Sequence, residues 1–138
     1  MDHKTDDILL LDGATGTELD RRGVDVGMPL WSAGAMDEAP DVLQAVHSAY
    51  LQAGADAITT NTFRTHERSL AKADLGQRAR SLTEAAVLLA QMARDRTRPE
   101  AMVLGGVAPL EDCYSPDLSP DAVPCREEHG QIIRHLVE

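Results

Sequence analysis

The sequence has 138 residues, of which 43% are hydrophobic and 26% charged, as expected for one globular domain. Its net charge of −10 disfavours binding to nucleic acid or to an anionic membrane surface. No stretch has the roughly 20 consecutive apolar residues of a membrane span, and the charged N-terminus lacks the apolar core of a signal peptide, so we expect a cytoplasmic protein. Because aromatic residues make up only 3% of the chain, we expect a core of aliphatic and alanine side chains.

A short apolar run over residues 8–11 predicts a buried first strand, which ends at Asp12-Gly13. A helix is predicted over residues 17–22, with Gly23 ending it. A strand that carries a carboxylate at its C-terminal end, followed by a glycine-containing turn, is typical of ligand sites in parallel α/β proteins. An Asp-capped turn without a ligand is the alternative for Asp12-Gly13 alone. Thr15, Gly16 and Thr17 favour the site.

Residues 24–36 are predicted to be irregular, and the next helix is framed by its end signals. Pro40 suits the first helical position and Gly54 the C-terminal stop. We expect His47, within this helix, to be a hydrogen-bonded histidine and not a metal ligand, because no partner stands at a matching spacing. The predicted apolar face consists of Val42, Val46, Ala49 and Ala53.

A second strand is predicted over residues 57–60, followed by the polar cluster 60–63 (TNTF). A helical region follows over residues 65–94, interrupted near Gly76 and restarted by a capping box from Ser81 to Glu84. We expect its apolar face to contain Leu82, Ala86, Leu89 and Ala93.

The third strand is predicted over residues 102–104, before a proline-rich loop over residues 110–124 and a last helix from about Arg126. The resulting β-α-β-α-β-α order predicts a parallel β/α array. Three parallel strands alone leave faces and edges uncovered, so we expect exposed strand edges.

Several motifs, in this order, resemble those of the homocysteine S-methyltransferase family. They are residues 12–17 (DGATGT), 30–33 (LWSA), His47 with Tyr50, 53–56 (AGAD) and 59–63 (TTNTF). The resemblance continues through Gly106 to the last helix. It implies an α/β fold of the (β/α)8 TIM-barrel type, of which this chain, a single domain over residues 1–138, covers about the first three β/α units.

The resemblance also implies a reaction. A methyl group passes from a sulfonium donor, such as S-methylmethionine or S-adenosylmethionine, or from a similar donor, to the sulfur of homocysteine, which gives methionine. A zinc ion held by three cysteine thiolates binds that sulfur and keeps it deprotonated.

The same resemblance implies a role for six residues. Asp12 is matched to an unpaired carboxylate that receives the amino group of homocysteine. Gly13 is matched to a glycine that lets the substrate approach the backbone closely. Trp31 is matched to a tryptophan near the methyl donor. Thr60, Asn61 and Phe63 are matched to a second wall of the pocket. Arg64 departs from the neutral or aromatic residue that relatives often carry.

The zinc-binding cysteine segments of the family are absent from this sequence. Cys113 and Cys125 match no ligand position, so we assign no metal ligand and no catalytic residue to the chain. We therefore expect this chain to be the N-terminal part of a methyltransferase and to be inactive on its own.

Two alternatives differ in class. One is a non-catalytic half-barrel that binds or assembles by self-association or with a complementing partner chain through its strand edges. The other is a different barrel enzyme in which residues 13–17 cradle a phosphate. Asp12 would repel that phosphate, so this alternative ranks last.

Overall fold

Two parallel strands, β1 (Ala57–Thr59) and β2 (Met102–Leu104), form the centre of the fold in the computed structural model, which describes residues 8–137. Ala57 lies opposite Met102 and Thr59 opposite Leu104, so the two strands are in register over their full length. Leu11 adds a single parallel bridge to Ala57 on the other side of β1. Helices separate the three parallel segments along the chain, which confirms the predicted α/β order.

The first predicted strand is only partly formed, and the prediction that it is buried was wrong. The amide of Asp56 donates to the carbonyl of Leu10 at 2.8 Å, and the amide of Asp12 donates to the carbonyl of Ala57 at 3.0 Å. The side chains are nevertheless exposed, from 80% at Ile8 to 51% at Leu11. The physical reason is that residues 8–11 lie at the edge of the sheet, where none of the described elements covers them.

Helices α1 (Thr15–Arg21), α2 (Ala35–Glu38) and α3 (Pro40–Gln52) come before β1. Gly23, with φ +82°, follows α1, and Gly54, with φ +105°, follows α3, so both glycines adopt the left-handed conformation that ends a helix. A 3₁₀ turn, Trp31–Gly34, lies inside the stretch predicted to be irregular.

The buried face of α3 differs from the predicted one. Helix α3 packs against α1. It also packs against the longest helix of the described chain, which covers residues 79–97. Of the predicted face, only Val46 is fully buried. The four side chains that α3 buries are Leu43, Val46, His47 and Leu51.

Helices α4 (Glu67–Ala71) and α5 (Ala79–Thr97) are separated by a 3₁₀ turn, Gly76–Arg78, close to the predicted interruption. The predicted capping box was wrong, because Ser81 lies inside α5 and its hydroxyl donates to the carbonyl of Arg78 at 3.1 Å. The apolar face of α5 is confirmed. Leu82, Ala86 and Ala93 are buried and Leu89 is half-buried.

Helix α6 (Ala122–Val137) begins four residues earlier than predicted and includes Pro124. Proline is tolerated there because the first turn of a helix leaves its N–H groups without intrahelical partners. The guanidinium of Arg68 on α4 binds both carboxylate oxygens of Glu128 on α6, and its Nη1 donates to Glu111 in the preceding loop at 3.2 Å. These ion pairs connect the loop and α6 to α4.

The core is aliphatic and rich in alanine, as the composition predicts. Helices α1, α3, α4 and α5 contribute to one buried cluster, whose fully buried members include Leu19, Leu43, Val46, Leu70 and Ala86. Alanine lets helices approach one another closely, because it adds little side-chain volume at the contact. Among residues 8–137, no helix combines the length and apolar character that crossing a membrane requires.

The position of Leu43 gives a test of this core. We expect Leu43→Ala to lower the free energy of unfolding by about 2–5 kcal/mol, because it removes a fully buried side chain and leaves a cavity. Leu88→Ala is the matched control, because Leu88 lies on α5 and is 56% exposed. It should change the free energy of unfolding by less than about 0.5 kcal/mol. Urea unfolding of both variants measures the difference, and equal losses would contradict the assignment of the core.

Candidate functional site

A cavity of about 710 Å³ opens at the carboxyl ends of the parallel segments, between the turn after residue 11, the end of β1 and the loop after β2. Ligands of parallel α/β proteins bind at this edge, because the loops that follow the strands converge there. The cavity brings together all six residues predicted for the site. They are Asp12, Gly13, Trp31, Thr60, Asn61 and Phe63.

Asp12 is held by Thr59 at the end of β1. The Thr59 amide donates to Oδ2 of Asp12 at 2.8 Å, and the Thr59 hydroxyl donates to Oδ1 at 3.0 Å. The carboxylate is therefore oriented by two hydrogen bonds from one residue. Both partners are neutral, and no described cation lies within ion-pair distance of Asp12. Each oxygen retains capacity for a further donor, so the group can still bind a cation.

Gly13 makes room for Tyr50 of α3. A Cβ atom at position 13 would lie 2.8 Å from the Tyr50 hydroxyl oxygen. That hydroxyl donates to the carbonyl of Ala14 at 3.1 Å. Burial raises the pKa of Tyr50, and the nearby charges of Glu18 and Asp12 act in the same direction, so the hydroxyl remains a donor at neutral pH. The glycine thus lets α3 support the turn that carries Asp12.

Thr60 and Thr62 join the end of β1 to the loop after β2. The Gly106 amide donates to the Thr60 hydroxyl at 3.0 Å, the two threonine hydroxyls lie 2.9 Å apart, and the Thr62 hydroxyl donates to the Gly106 carbonyl at 2.7 Å. The hydrogen bonds close a ring. The single donor of the Thr60 hydroxyl is therefore used within the protein, and the group joins two segments that line the cavity.

Asn61 is buried and forms a reciprocal pair with Ser32. The Ser32 hydroxyl donates to Oδ1 of Asn61 at 2.6 Å, and Nδ2 of Asn61 donates to the Ser32 carbonyl at 2.7 Å. The pair fixes the 3₁₀ turn at 31–34 against the end of β1. Asn61 acts on the cavity by positioning the neighbouring Trp31.

Trp31 and Phe63 form one side of the cavity, which we name the aromatic wall. Their rings are stacked, with centroids 5.6 Å apart and an interplanar angle of 9°. Trp31 has φ +49°, a left-handed conformation that is unfavourable for a bulky residue and that persists where surrounding contacts impose it. Those contacts include Met28, whose Sδ accepts from the indole Nε1, and the guanidinium of Arg64.

Five residues that shape the site were not predicted to have a role in it. Thr59, Ser32 and Tyr50 stand inside the recognised motifs, which was the available signal for all three. Thr59 and Ser32 are also direct neighbours of predicted site residues. Tyr114 lines the cavity although it is 83% exposed, and nothing in the loop sequence indicated this. Arg64 was noted as a departure, and its contact with the aromatic wall depends on tertiary structure.

His47 lies fully buried on α3, and neither ring nitrogen has a hydrogen-bond partner. The predicted hydrogen bond was therefore wrong. Burial lowers the pKa of His47 to about 4, against the opposing influence of the Asp12 charge. The imidazole is neutral at pH 7, because charging it would require desolvation without a partner.

The described residues do not fit a zinc site. Within residues 8–137, no group of three or more histidine, cysteine or acidic side chains is arranged to hold a metal ion. Cys113 is exposed, Cys125 is half-buried, and both are free thiols. A site of three thiolates is therefore not supplied by this part of the chain.

Comparison with known proteins gives consistent matches. The homocysteine S-methyltransferase family model matches residues 9–138. The chain is 33% identical over 112 residues to a homocysteine S-methyltransferase of Bacillus subtilis, covering 74% of this chain and 36% of that protein. It is 36% identical over 110 residues to a homocysteine S-methyltransferase of Escherichia coli, covering 75% of this chain and 36% of that protein.

A solved structure is also similar. The metallated form of a homocysteine methyltransferase from Escherichia coli superposes with a TM-score of 0.84 and 31% identity, over 95% of this chain and 50% of that chain. The chain thus spans half of that solved protein and 36% of the length of the two curated relatives.

The buried histidine predicts a pH dependence of stability. In the unfolded chain a histidine titrates near pH 6.5, whereas His47 in the folded protein does so at about pH 4. Between these values the unfolded state binds a proton that the folded state excludes. The stability contributed by neutral His47 is therefore fully present above about pH 6.5 and is lost as the pH falls towards 4.

We expect His47→Leu to reduce the loss of stability between pH 7 and pH 5 by about 2 kcal/mol. Some loss should remain, because burial also lowers the pKa of His66 to about 4, with the Arg64 charge adding to the effect. Urea unfolding at a series of pH values gives the free energy of unfolding of the wild-type protein and of His47→Leu as a function of pH. Parallel curves for the two proteins would contradict the buried neutral state of His47.

Proposed function

This chain belongs to the homocysteine S-methyltransferase family, and we propose that it forms the homocysteine- and donor-binding part of an enzyme that transfers a methyl group to homocysteine. The observation that carries the proposal is the position of Asp12, a carboxylate without a cationic partner in the described chain, on the same cavity as the aromatic wall. We further propose that the chain forms about the first three β/α units of a (β/α)8 barrel. The parallel order of residues 8–11, β1 and β2 supports this arrangement.

In this proposal, Asp12 receives the ammonium group of homocysteine. Thr59 uses one lone pair on each carboxylate oxygen and so fixes the orientation of the carboxylate. An ammonium group has three donors and can bind the remaining lone pairs through charge-assisted hydrogen bonds, which are shorter and stronger than neutral ones. Thr59 therefore preorganises the carboxylate, so that less conformational freedom is lost on binding.

The methyl donor is proposed to be a sulfonium compound bound beside the aromatic wall. Transfer forms a bond between the homocysteine sulfur and the methyl carbon while the bond from that carbon to the donor sulfur breaks, and the electron pair stays on the donor. The donor becomes a neutral thioether, and the proton of the homocysteine thiol is released to solvent. With S-methylmethionine as donor, both products are methionine.

The role of this chain is positioning and not chemical activation. None of its described side chains is arranged to hold a metal ion, so we assign it neither a zinc ligand nor a catalytic residue. A zinc-bound sulfur, which the family resemblance implies, would need thiolates from outside residues 8–137. We therefore propose that these residues alone are inactive. Methyl transfer by them without an added protein would refute this statement.

The exposed strand edges favour a second candidate, a non-catalytic half-barrel that assembles with another chain. Leu9, Leu10 and Met102 are 55%, 52% and 44% exposed, although all three are strand or strand-edge residues with large apolar side chains. Light scattering at several protein concentrations distinguishes this candidate. A dimer that persists on dilution would favour it, and a folded monomer would exclude self-association.

Asp12→Asn tests the proposed homocysteine site. The substitution removes the charge but leaves an oxygen that can still accept from Thr59, so we expect homocysteine to bind about 10–100-fold more weakly while donor binding changes much less. Asp20→Asn, on the exposed surface of α1, is the matched control and should have no effect. Isothermal titration calorimetry of the purified protein gives each affinity. Equal weakening for homocysteine and donor would refute the role of Asp12.

A further inference from the structure

Arg64 places a buried positive charge directly against the aromatic wall. The residue is 3% exposed, and the central carbon of its guanidinium lies 4.4 Å from the ring centroid of Trp31 and 5.4 Å from that of Phe63. Both rings line the cavity, whereas Arg64 does not. The guanidinium therefore contacts two rings that line the cavity without lining the cavity itself.

Arg64 forms no ion pair within the described chain. Its charge acts at longer range on the carboxyl of Asp112, whose pKa is lowered first by hydrogen bonds from Tyr114 and Ser115 and further by Arg64. The Nη1 of Arg64 donates to the carbonyl of Glu111 at 3.3 Å and weakly to the hydroxyl of Ser69 at 3.5 Å. Nε and Nη2 are buried and have no partner. In Arg68 the same two atoms donate to both oxygens of Glu128, at 2.9 and 2.5 Å.

The comparison of the two arginines shows what is missing at Arg64. A guanidinium stays charged at any physiological pH, and burying it without an anionic partner is costly. The Nε–Nη2 edge is also the edge that binds a carboxylate with two parallel hydrogen bonds, as the Arg68–Glu128 pair does. The aromatic wall thus lies against a positive charge to which no carboxylate of the described chain is hydrogen-bonded.

We propose that Arg64 determines the specificity of the methyl-donor site by selecting a donor that carries a carboxylate beside its onium group. This inference rests on the function proposed above. A donor with only a positive charge is repelled by Arg64, and Arg64 already occupies the cation–π site on Trp31. A carboxylate on the donor offsets that repulsion and interacts favourably with the guanidinium across the apolar rings, where the effective dielectric constant is low.

The test compares two probes that differ only in this charge. S-methylmethionine carries a carboxylate, and its carboxamide keeps the sulfonium and the amino group but lacks the negative charge. We expect the purified protein to bind the carboxylate probe about tenfold more tightly in calorimetric titrations. Arg64→Gln should abolish this preference, and Arg64→Lys should retain most of it because the charge remains. Arg21→Gln, whose parent side chain is 72% exposed on α1, should leave the preference unchanged.

Two outcomes would overturn the proposal. One is a wild-type protein that does not discriminate between the two probes, whether it binds both or neither. The other is an Arg64→Gln variant that weakens both probes equally, which is the result of a purely structural role. If Arg64→Gln does not fold, as judged by circular dichroism, the proposal is judged on the ratio of the two probe affinities in the wild-type protein and in Arg64→Lys.

Homocysteine titration separates this inference from the proposed function. Arg64→Gln should leave homocysteine affinity unchanged, because Asp12 is held by Thr59, whereas Arg64 contacts the aromatic wall. Failure of the wild-type protein to bind homocysteine refutes the proposed function. If the wild-type protein binds homocysteine but shows no preference between the two donor probes, only the role of Arg64 is refuted.

Discussion

The structure of the cavity depends on a constraint at the C-terminal end of β1, where four consecutive polar residues together hold three different parts of the site. Thr59 binds the carboxylate of Asp12, Asn61 binds the turn that carries Trp31, and Thr60 and Thr62 bind the loop after β2 at Gly106. Hydrogen bonds in such a buried place contribute little net stability when made but are costly when one partner is lost. The four residues therefore define the relative positions of three segments that are far apart in sequence.

This arrangement separates the polar groups that build the cavity from those that can contact a ligand. The side chains of Thr60 and Asn61 line the cavity, yet their hydrogen-bonding groups bind the protein itself. Asp12 and the aromatic wall retain the capacity to interact with a ligand. Asp12 consequently gives the cavity a negative group, and the aromatic wall has the positive charge of Arg64 against it. A zwitterionic ligand therefore has a preferred orientation in it.

Much of this was predictable, because the relevant signals are local. Pro40 and Gly54 delimit α3, short apolar runs marked β1 and β2, and the polar residues after each strand indicated the cavity. The failures concern tertiary contacts. The exposure of residues 8–11, the unpartnered His47 and the contact of Arg64 with Trp31 depend on which elements pack nearby, and short-range patterns carry no information about that.

The distribution of aromatic residues has a spectroscopic consequence. The chain contains one tryptophan, two tyrosines and one phenylalanine, and all four lie at the cavity or beneath its turn, while the hydrophobic core is aliphatic. Its near-ultraviolet circular dichroism and fluorescence are thus signals of the site alone, whereas its far-ultraviolet spectrum reports the helices. In this protein, loosening of the binding site and loss of the fold can be observed as separate optical events without any introduced label.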